Sequence, residues 1–380
     1  LQGYMGAERL QAYGGMARNI TYGHESAEEL ESSQRTQEKL KNVQDDRGVK
    51  VNITHPLSLL QITMKKKFSI YLIIVLLVVT GTLAVTTSYL LKYMLEEPTH
   101  TYDYRWAKLH QRYPSLTPWL DSLKTTHQLR DTTILLNNHL QAHAFYLRGD
   151  SACGRTAICV HGYKDNGLGL LYIAHIYNKV MRMNVLLPDL HGHGQSEGNS
   201  IQMGWNDRKD IEQWIPVAER MFCDKRHPSQ MVLHGVSMGA ATIMNVSGDE
   251  NIPTYVKAYV EDCGYTSVWD ECTDQLKEQF NLPQFPLVPL ASALCQVKHG
   301  WNFHEASPLE QVKKCHRPML FIHGDHDTYV PSWMVYPLYK AKPQPKQLWI
   351  TQGSEHAYSY HDYPKLYETK VKNFVSKYIK

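Results

Sequence analysis

A mostly parallel β-sheet of about eight strands, flanked by helices on both faces, is the α/β fold this chain predicts. Three observations carry that expectation. From about residue 131 onward, short apolar runs alternate with amphipathic stretches, the order that buries strands between two helical layers. The clearest helical stretches keep a 3.6-residue period: Ile211, Trp214, Ile215, Ala218 and Phe222 share one face, and Tyr367, Val371, Phe374, Val375 and Tyr378 share another. Finally, Gly235-Val236-Ser237-Met238-Gly239 lies between the apolar run Met231-Val232-Leu233-His234 and the small pair Ala240-Ala241. That reads as a strand, a sharp turn and a helix, with the serine at the turn.

Taken in order, the 380-residue chain has room for one large domain and appendages. Residues 1–63 are expected to be disordered, since the stretch 24–50 is polar, charged and without apolar periodicity. Leu1 is not an initiating methionine, whereas Met64-Lys65-Lys66-Lys67 would open an ordinary membrane-targeted protein. The stretch 1–63 is therefore read as an upstream extension without folded function, the alternative being a disordered cytoplasmic tail.

Residues 68–91 carry no charge, and a helix of that length, at about 1.5 Å per residue, crosses a hydrocarbon core of roughly 30 Å. Lys65, Lys66 and Lys67 precede it and Glu96 and Glu97 follow, so the positive-inside rule puts everything after Leu91 on the extracytoplasmic side. The apolar run is longer than that of a cleaved signal peptide, and Ala84-Val85-Thr86 makes a poor cleavage site. It reads as a single-pass anchor in the cell membrane, with a periplasmic domain if the envelope is Gram-negative. Residues 93–130 form a juxtamembrane linker whose Tyr102, Tyr104, Trp106, Tyr113 and Trp119 sit at the headgroup level or, as favoured here, pack a helix onto the following domain.

Within the domain 131–380, strands are expected at 132–136, 142–147, 156–160, 184–187, 231–233, 256–260, 319–322 and 347–350. The first two are close enough for a hairpin, and crossover helices separate the others. Residues 265–316 are a long excursion where one helix would suffice. They hold Trp269, Phe280, Trp301 and Phe303, with Pro283, Pro286 and Pro289 interrupting the middle. Such an insertion at the strand ends is expected to be a lid.

Composition narrows the function. Charged residues make up 20% and the net charge is +3, so no basic field points to nucleic acid. The 20 histidines are scattered and the seven cysteines irregularly spaced, which offers no metal-binding pattern and no disulfide framework, although one disulfide remains open. Cys159 and Cys263 fall in apolar runs, where a free thiol behaves as a small hydrophobe.

The serine needs a base to take its proton and an acid to orient that base. In this architecture the chain order is serine, acid, histidine. His323-Gly324-Asp325-His326-Asp327 follows one late strand and Gly353-Ser354-Glu355-His356-Ala357 follows the last. His356 is assigned as general base and Asp327 as its partner, with Asp325 the main rival and Asp262 a weaker one. The oxyanion needs preorganised donors: the amide of Met238, after the nucleophile, and that of Tyr163 in the loop His161-Gly162-Tyr163.

Together with Asp189-Leu190-His191-Gly192-His193-Gly194-Gln195-Ser196, these segments resemble the alpha/beta-hydrolase superfamily over roughly residues 130–380. The branch most similar is that of bacterial membrane-anchored serine hydrolases with serine aminopeptidase-like or prolyl-oligopeptidase-like domains. The resemblance implies a Ser237–Asp327–His356 triad, a Tyr163/Met238 oxyanion hole and no metal or organic cofactor. His191 departs from the pattern, where an arginine is common, a change expected to leave the triad intact while altering the pocket. The expected activity is hydrolysis of a carboxylic ester with a modest acyl group. Alternatives are a short peptide or amide substrate, acyl transfer, or a silent membrane-anchored binding module. The expected partners are a small-molecule substrate and, through residues 68–91, the membrane.

Overall fold

Strand β3 (Arg155–Val160) shows how the sheet comes to lie between two cores. Its side chains alternate, Ala157 and Cys159 entering one apolar cluster and Ile158 and Val160 the other, as a period of two requires. The same alternation recurs in β7 (Met319–Gly324), where Met319 and Phe321 face one side and Leu320 and Ile322 the opposite one. Strands buried on both faces read as unbroken apolar runs, which is why they are visible in the sequence.

The computed structural model describes residues 56–96, 99–149, 154–222 and 228–380. Residues 1–55, Glu97, Cys153 and Cys223, on which some expectations fell, lie outside the described residues. The remaining strands are β1 (Arg130–Leu135), β2 (Gln141–Leu147), β4 (Asn184–Pro188), β5 (Gln230–Val236), β6 (Val256–Asp262) and β8 (Lys346–Thr351), giving an eight-stranded sheet in the order β1-β2-β4-β3-β5-β6-β7-β8. β1 and β2 form the expected hairpin, β2 runs antiparallel to β4, and every pairing from β4 to β8 is parallel. The expected strands match these bounds to within a few residues. β5 and β6 run on to Val236 and Asp262 because Gly235 and Val236 pair with Glu261 and Asp262.

The helices are α1 (Pro56–Leu95), α2 (Tyr102–Arg112), α3 (Thr117–Thr125), α4 (Leu171–His175), α5 (Asp207–Phe222), α6 (Met238–Ser247), α7 (Val268–Phe280), α8 (Gln284–His299), α9 (Pro308–Val312), α10 (Val335–Ala341), α11 (Ser359–Asp362) and α12 (Pro364–Val375). One core gathers Trp214 of α5, Ile243 of α6 and Leu338 of α10; the other gathers Ile173 of α4 and Phe374 of α12. The periodic face read on α5 is buried throughout.

The chain divides into two units, Leu1–Val78 and Val79–Lys380. In the first, all described residues are helical. The helix begins at Pro56, so the last eight residues of the expected extension, 56–63, are helical rather than disordered. Proline suits the first helical position, and neither Gly nor Pro interrupts the chain again before Gly81. Its apolar side chains between Leu60 and Val78 are exposed, Phe68 at 71% and Leu77 at 65%.

In the second unit, the expected linker is part of the fold. Leu109, Tyr113, Leu116, Leu120 and Leu123, from α2, α3 and the turn between them, are buried in the second core, with Trp106 and Trp119 half-buried beside them. Thr101 caps α2 by accepting a hydrogen bond from the Tyr104 amide at 3.3 Å, which satisfies one free donor of the first turn. The excursion 265–316 folds as α7, α8 and α9. Asn281, in the left-handed conformation, ends α7, and the extended Pro283 precedes α8.

Because Leu120 is fully buried, Leu120→Ala should destabilise the domain by about 2–5 kcal/mol, measured as urea unfolding of the detergent-solubilised chain. A loss of under about 0.5 kcal/mol, the range of ordinary surface substitutions, would mean that residues 93–130 are only a tether.

Candidate active site

Ser237 occupies the junction of β5 and α6 with φ 57° and ψ −120°, a backbone conformation that is costly for a residue with a Cβ. The neighbouring glycines make it feasible. A Cβ on Gly235 would lie 2.1 Å from the Gly239 carbonyl oxygen, and one on Gly239 only 1.9 Å from that of Val160. Strand and helix therefore close tightly around the serine, and a side chain at either position is excluded.

His356 lies in the loop after β8, and its Nε2 is 2.8 Å from Ser237 Oγ. Its Nδ1 is 2.8 Å from Asp327 Oδ2. A carboxylate only accepts, so Nδ1–H donates to Asp327 and Nε2 is left to accept from the serine hydroxyl. Asp327 is itself held, its Oδ1 accepting from the amides of Tyr329 at 3.0 Å and Val330 at 2.9 Å. Burial alone would push this carboxyl up, yet His323, 3.4 Å away, and His356 hold it below the usual carboxylate range. The group therefore stays ionised beside the imidazole.

The rival acids are placed elsewhere. Asp325 is exposed and accepts from the Gly353 amide at 2.6 Å, tying down the loop that leads to His356. Asp262 accepts from the Tyr367 hydroxyl at 2.8 Å, and burial pushes its carboxyl up to about 6. Among the three carboxylates, the bond to His356 is made by Asp327.

Tyr163 and Met238 flank the serine. Met238 opens α6 directly after it, and Tyr163 follows Gly162, where a Cβ would stand 3.3 Å from that of Ser237. Sequence reasoning left His161 without a role. His161 Nε2 accepts from the Leu190 amide at 2.9 Å, while its Nδ1 donates to the Gly162 carbonyl at 2.8 Å. Burial lowers its basicity, which keeps the ring neutral for this bridge. Asp189 accepts from Gly167 N at 2.7 Å, His143 Nδ1 at 2.8 Å and the Tyr102 hydroxyl, joining α2 to the loops around the site. The signal available for both was their place at strand ends. His191 does not border the serine: it lines a separate polar hollow with Lys209 and Asp210 and is not among the residues that border the clefts at Ser237.

Two clefts meet at Ser237 and share Tyr163 and Tyr329. One is apolar, bordered by Leu276, Leu287 and Phe303 of the 265–316 excursion. The other is polar, bordered by Arg105, Lys108, Arg112 and His361, with Arg105 paired to Asp165 at 2.6 Å. Among the described residues, the one cluster with metal-ligand chemistry is Cys263, Asp327 and His356. Burial drives the Cys263 thiol well above its usual range, so it is a poor ligand, and the other two are engaged with each other.

The chain is 30% identical over 220 residues to the uncharacterized protein YqkD of Bacillus subtilis, an alignment covering 58% of this chain and 70% of that protein. A solved Pyrococcus furiosus esterase is similar with a TM-score of 0.54 at 19% identity, covering 68% of this chain and 96% of that one. An alpha/beta hydrolase of Penicillium superposes with a TM-score of 0.51 at 12% identity, covering 66% and 99%. The chain matches no protein-family model. By its identity to YqkD over more than two thirds of that protein, the chain belongs to the YqkD family, and with its sheet order and strand–serine–helix turn it shares the fold of these solved hydrolases.

If Asp327 alone orients His356, Asp327→Asn should lower kcat on the order of 10⁴-fold, whereas Asp325→Asn and Asp262→Asn should each cost less than about tenfold. Steady-state turnover of a p-nitrophenyl ester reads the difference, and a larger loss in Asp262→Asn would transfer the role.

Proposed function

We propose that this chain is a membrane-anchored serine hydrolase that cleaves a carboxylic ester. The observation that carries the reading is the continuous contact from Ser237 Oγ through His356 to Asp327, both steps at 2.8 Å. In the proposed reaction, Ser237 Oγ attacks the carbonyl carbon and passes its proton to His356 Nε2. The negative charge moves to the carbonyl oxygen, which the amides of Tyr163 and Met238 stabilise, each donor worth about 10²–10³ in rate. Collapse breaks the bond to the leaving alcohol, which takes the proton from His356. Water then attacks the acyl carbon, gives its proton to the same nitrogen, and Ser237 leaves with it. Every step uses groups of this chain.

The anchor reading rests on the apolar part of α1, Leu60–Leu95, which is long and apolar enough to cross a membrane. Lys65, Lys66 and Lys67 at its N-terminal side favour a cytoplasmic N-terminus and an extracytoplasmic domain.

A fluorophosphonate probe should label the detergent-solubilised wild type and leave Ser237→Ala unlabelled, with ester turnover falling on the order of 10⁶-fold in that variant. Unlabelled wild type would favour a silent binding module. Turnover of aminoacyl amides in place of p-nitrophenyl esters would reassign the substrate to the peptide class.

A further inference from the structure

We propose that the ester is a membrane lipid whose acyl chain passes from the bilayer into the apolar cleft, one wall of which is the end of the anchor helix. This rests on the hydrolase and anchor readings above and names their substrate class. The wall consists of Leu90, Leu91, Tyr93 and Met94 of α1, facing Leu276 and Phe280 of α7. An ester of modest size, as the sequence led one to expect, needs no such wall from a membrane helix.

The wall is fastened to the site. Tyr163 donates its hydroxyl to the Met94 carbonyl at 2.8 Å, and the Ile201 amide donates to that of Leu95 at 2.7 Å. Leu91 and Leu95 are 2% and 1% exposed, and the Tyr93 ring meets Phe280 edge-on at 5.7 Å. Tyr163 is also the residue whose amide is proposed to face the oxyanion, so the helix end and the reaction centre share one residue, the first through its hydroxyl and the second through its backbone.

Helix length places the cleft near the lipid. Counted from Lys67, roughly 20 helical residues traverse the hydrocarbon, so the crossing is complete near residue 87. At 1.5 Å per residue, the wall then starts roughly 5 Å beyond it and ends at about 10 Å, within the headgroup layer. Tyr89, 61% exposed, falls at that boundary, where tyrosine is favoured. The insertion helices also present Phe280, Phe285, Leu290 and Val297 to the outside, side chains that a lipid surface would cover. On the opposite side of Ser237, Lys108 and Arg112 border the polar cleft, which suits a polar head group on the leaving alcohol.

The test uses the full chain in lipid nanodiscs. Wild type should prefer p-nitrophenyl decanoate to the acetate by at least about tenfold in kcat/KM, since each buried methylene adds up to about 0.8 kcal/mol. Met94→Trp, which fills the cleft, should lower that ratio at least about tenfold, and Leu90→Ala, which widens it, should raise the preference for longer chains. In phosphatidylcholine vesicles carrying lysophosphatidylglycerol or monopalmitoylglycerol, palmitate should be released from at least one, and the comparison shows whether the head group needs a phosphate. Release from neither, or a ratio that Met94→Trp leaves within about twofold, overturns the lipid assignment. Fluorophosphonate labelling of Ser237 in the same nanodiscs keeps the two readings apart. Labelling without lipid turnover sinks only the lipid proposal, and absence of labelling sinks the hydrolase reading beneath it.

Discussion

The arrangement depends on how closely β5 and α6 approach at Ser237. A Cβ on Gly235 would stand 2.1 Å from the Gly239 carbonyl oxygen, and one on Gly239 1.9 Å from that of Val160 on the neighbouring β3, far inside any real contact, so the backbone has no slack there. With that packing in place, Ser237 is driven to φ 57°, and its side chain stands at the rim of the sheet. The residue could not hold this conformation in an isolated hairpin or helix; the surrounding sheet over-determines it. The His356 contact and both clefts follow from where that hydroxyl is fixed.

Electrostatics then separate carboxylates that look alike in sequence. Asp327 is buried but surrounded by donors: two amides, His356 and, a little further away, His323. Asp262 is equally buried, yet it accepts from a tyrosine hydroxyl, and its carboxyl rises to about 6. In the proposed mechanism an ionised partner stabilises the imidazolium that forms when the serine gives up its proton, and Asp327, held ionised, is the carboxylate that meets His356. The balance of donors against desolvation, rather than burial itself, therefore sets which carboxyl stays low and which rises.

The end of α1 shows how one apolar segment can serve two environments. Val85 and Tyr89 are exposed, while Thr87, Leu91 and Leu95 are buried in the domain. Alternation of this kind within a few turns follows helical periodicity. It leaves Met94 and its carbonyl oxygen against Tyr163, which joins the helix to the loop after β3.

Much of the fold was legible along the chain. The central strands β3 to β7 announced themselves as apolar runs because burial on both faces demands them, and Ser237, Asp327 and His356 could be nominated because each follows a strand of a parallel sheet, whose ends converge. Three things could not be read that way. Asp325, Asp327 and Asp262 are chemically identical until three-dimensional neighbours distinguish them. His161 and Asp189 work by bridging loops far apart in sequence. The last turns of the apolar helix contain the same residues whether they meet lipid, protein or substrate, because leucine and methionine carry no mark of their surroundings. Local pattern determined which elements form and in what order, since it depends only on periodicity and backbone preference. Which side chains meet was decided by tertiary packing, since that depends on distances sequence spacing does not encode.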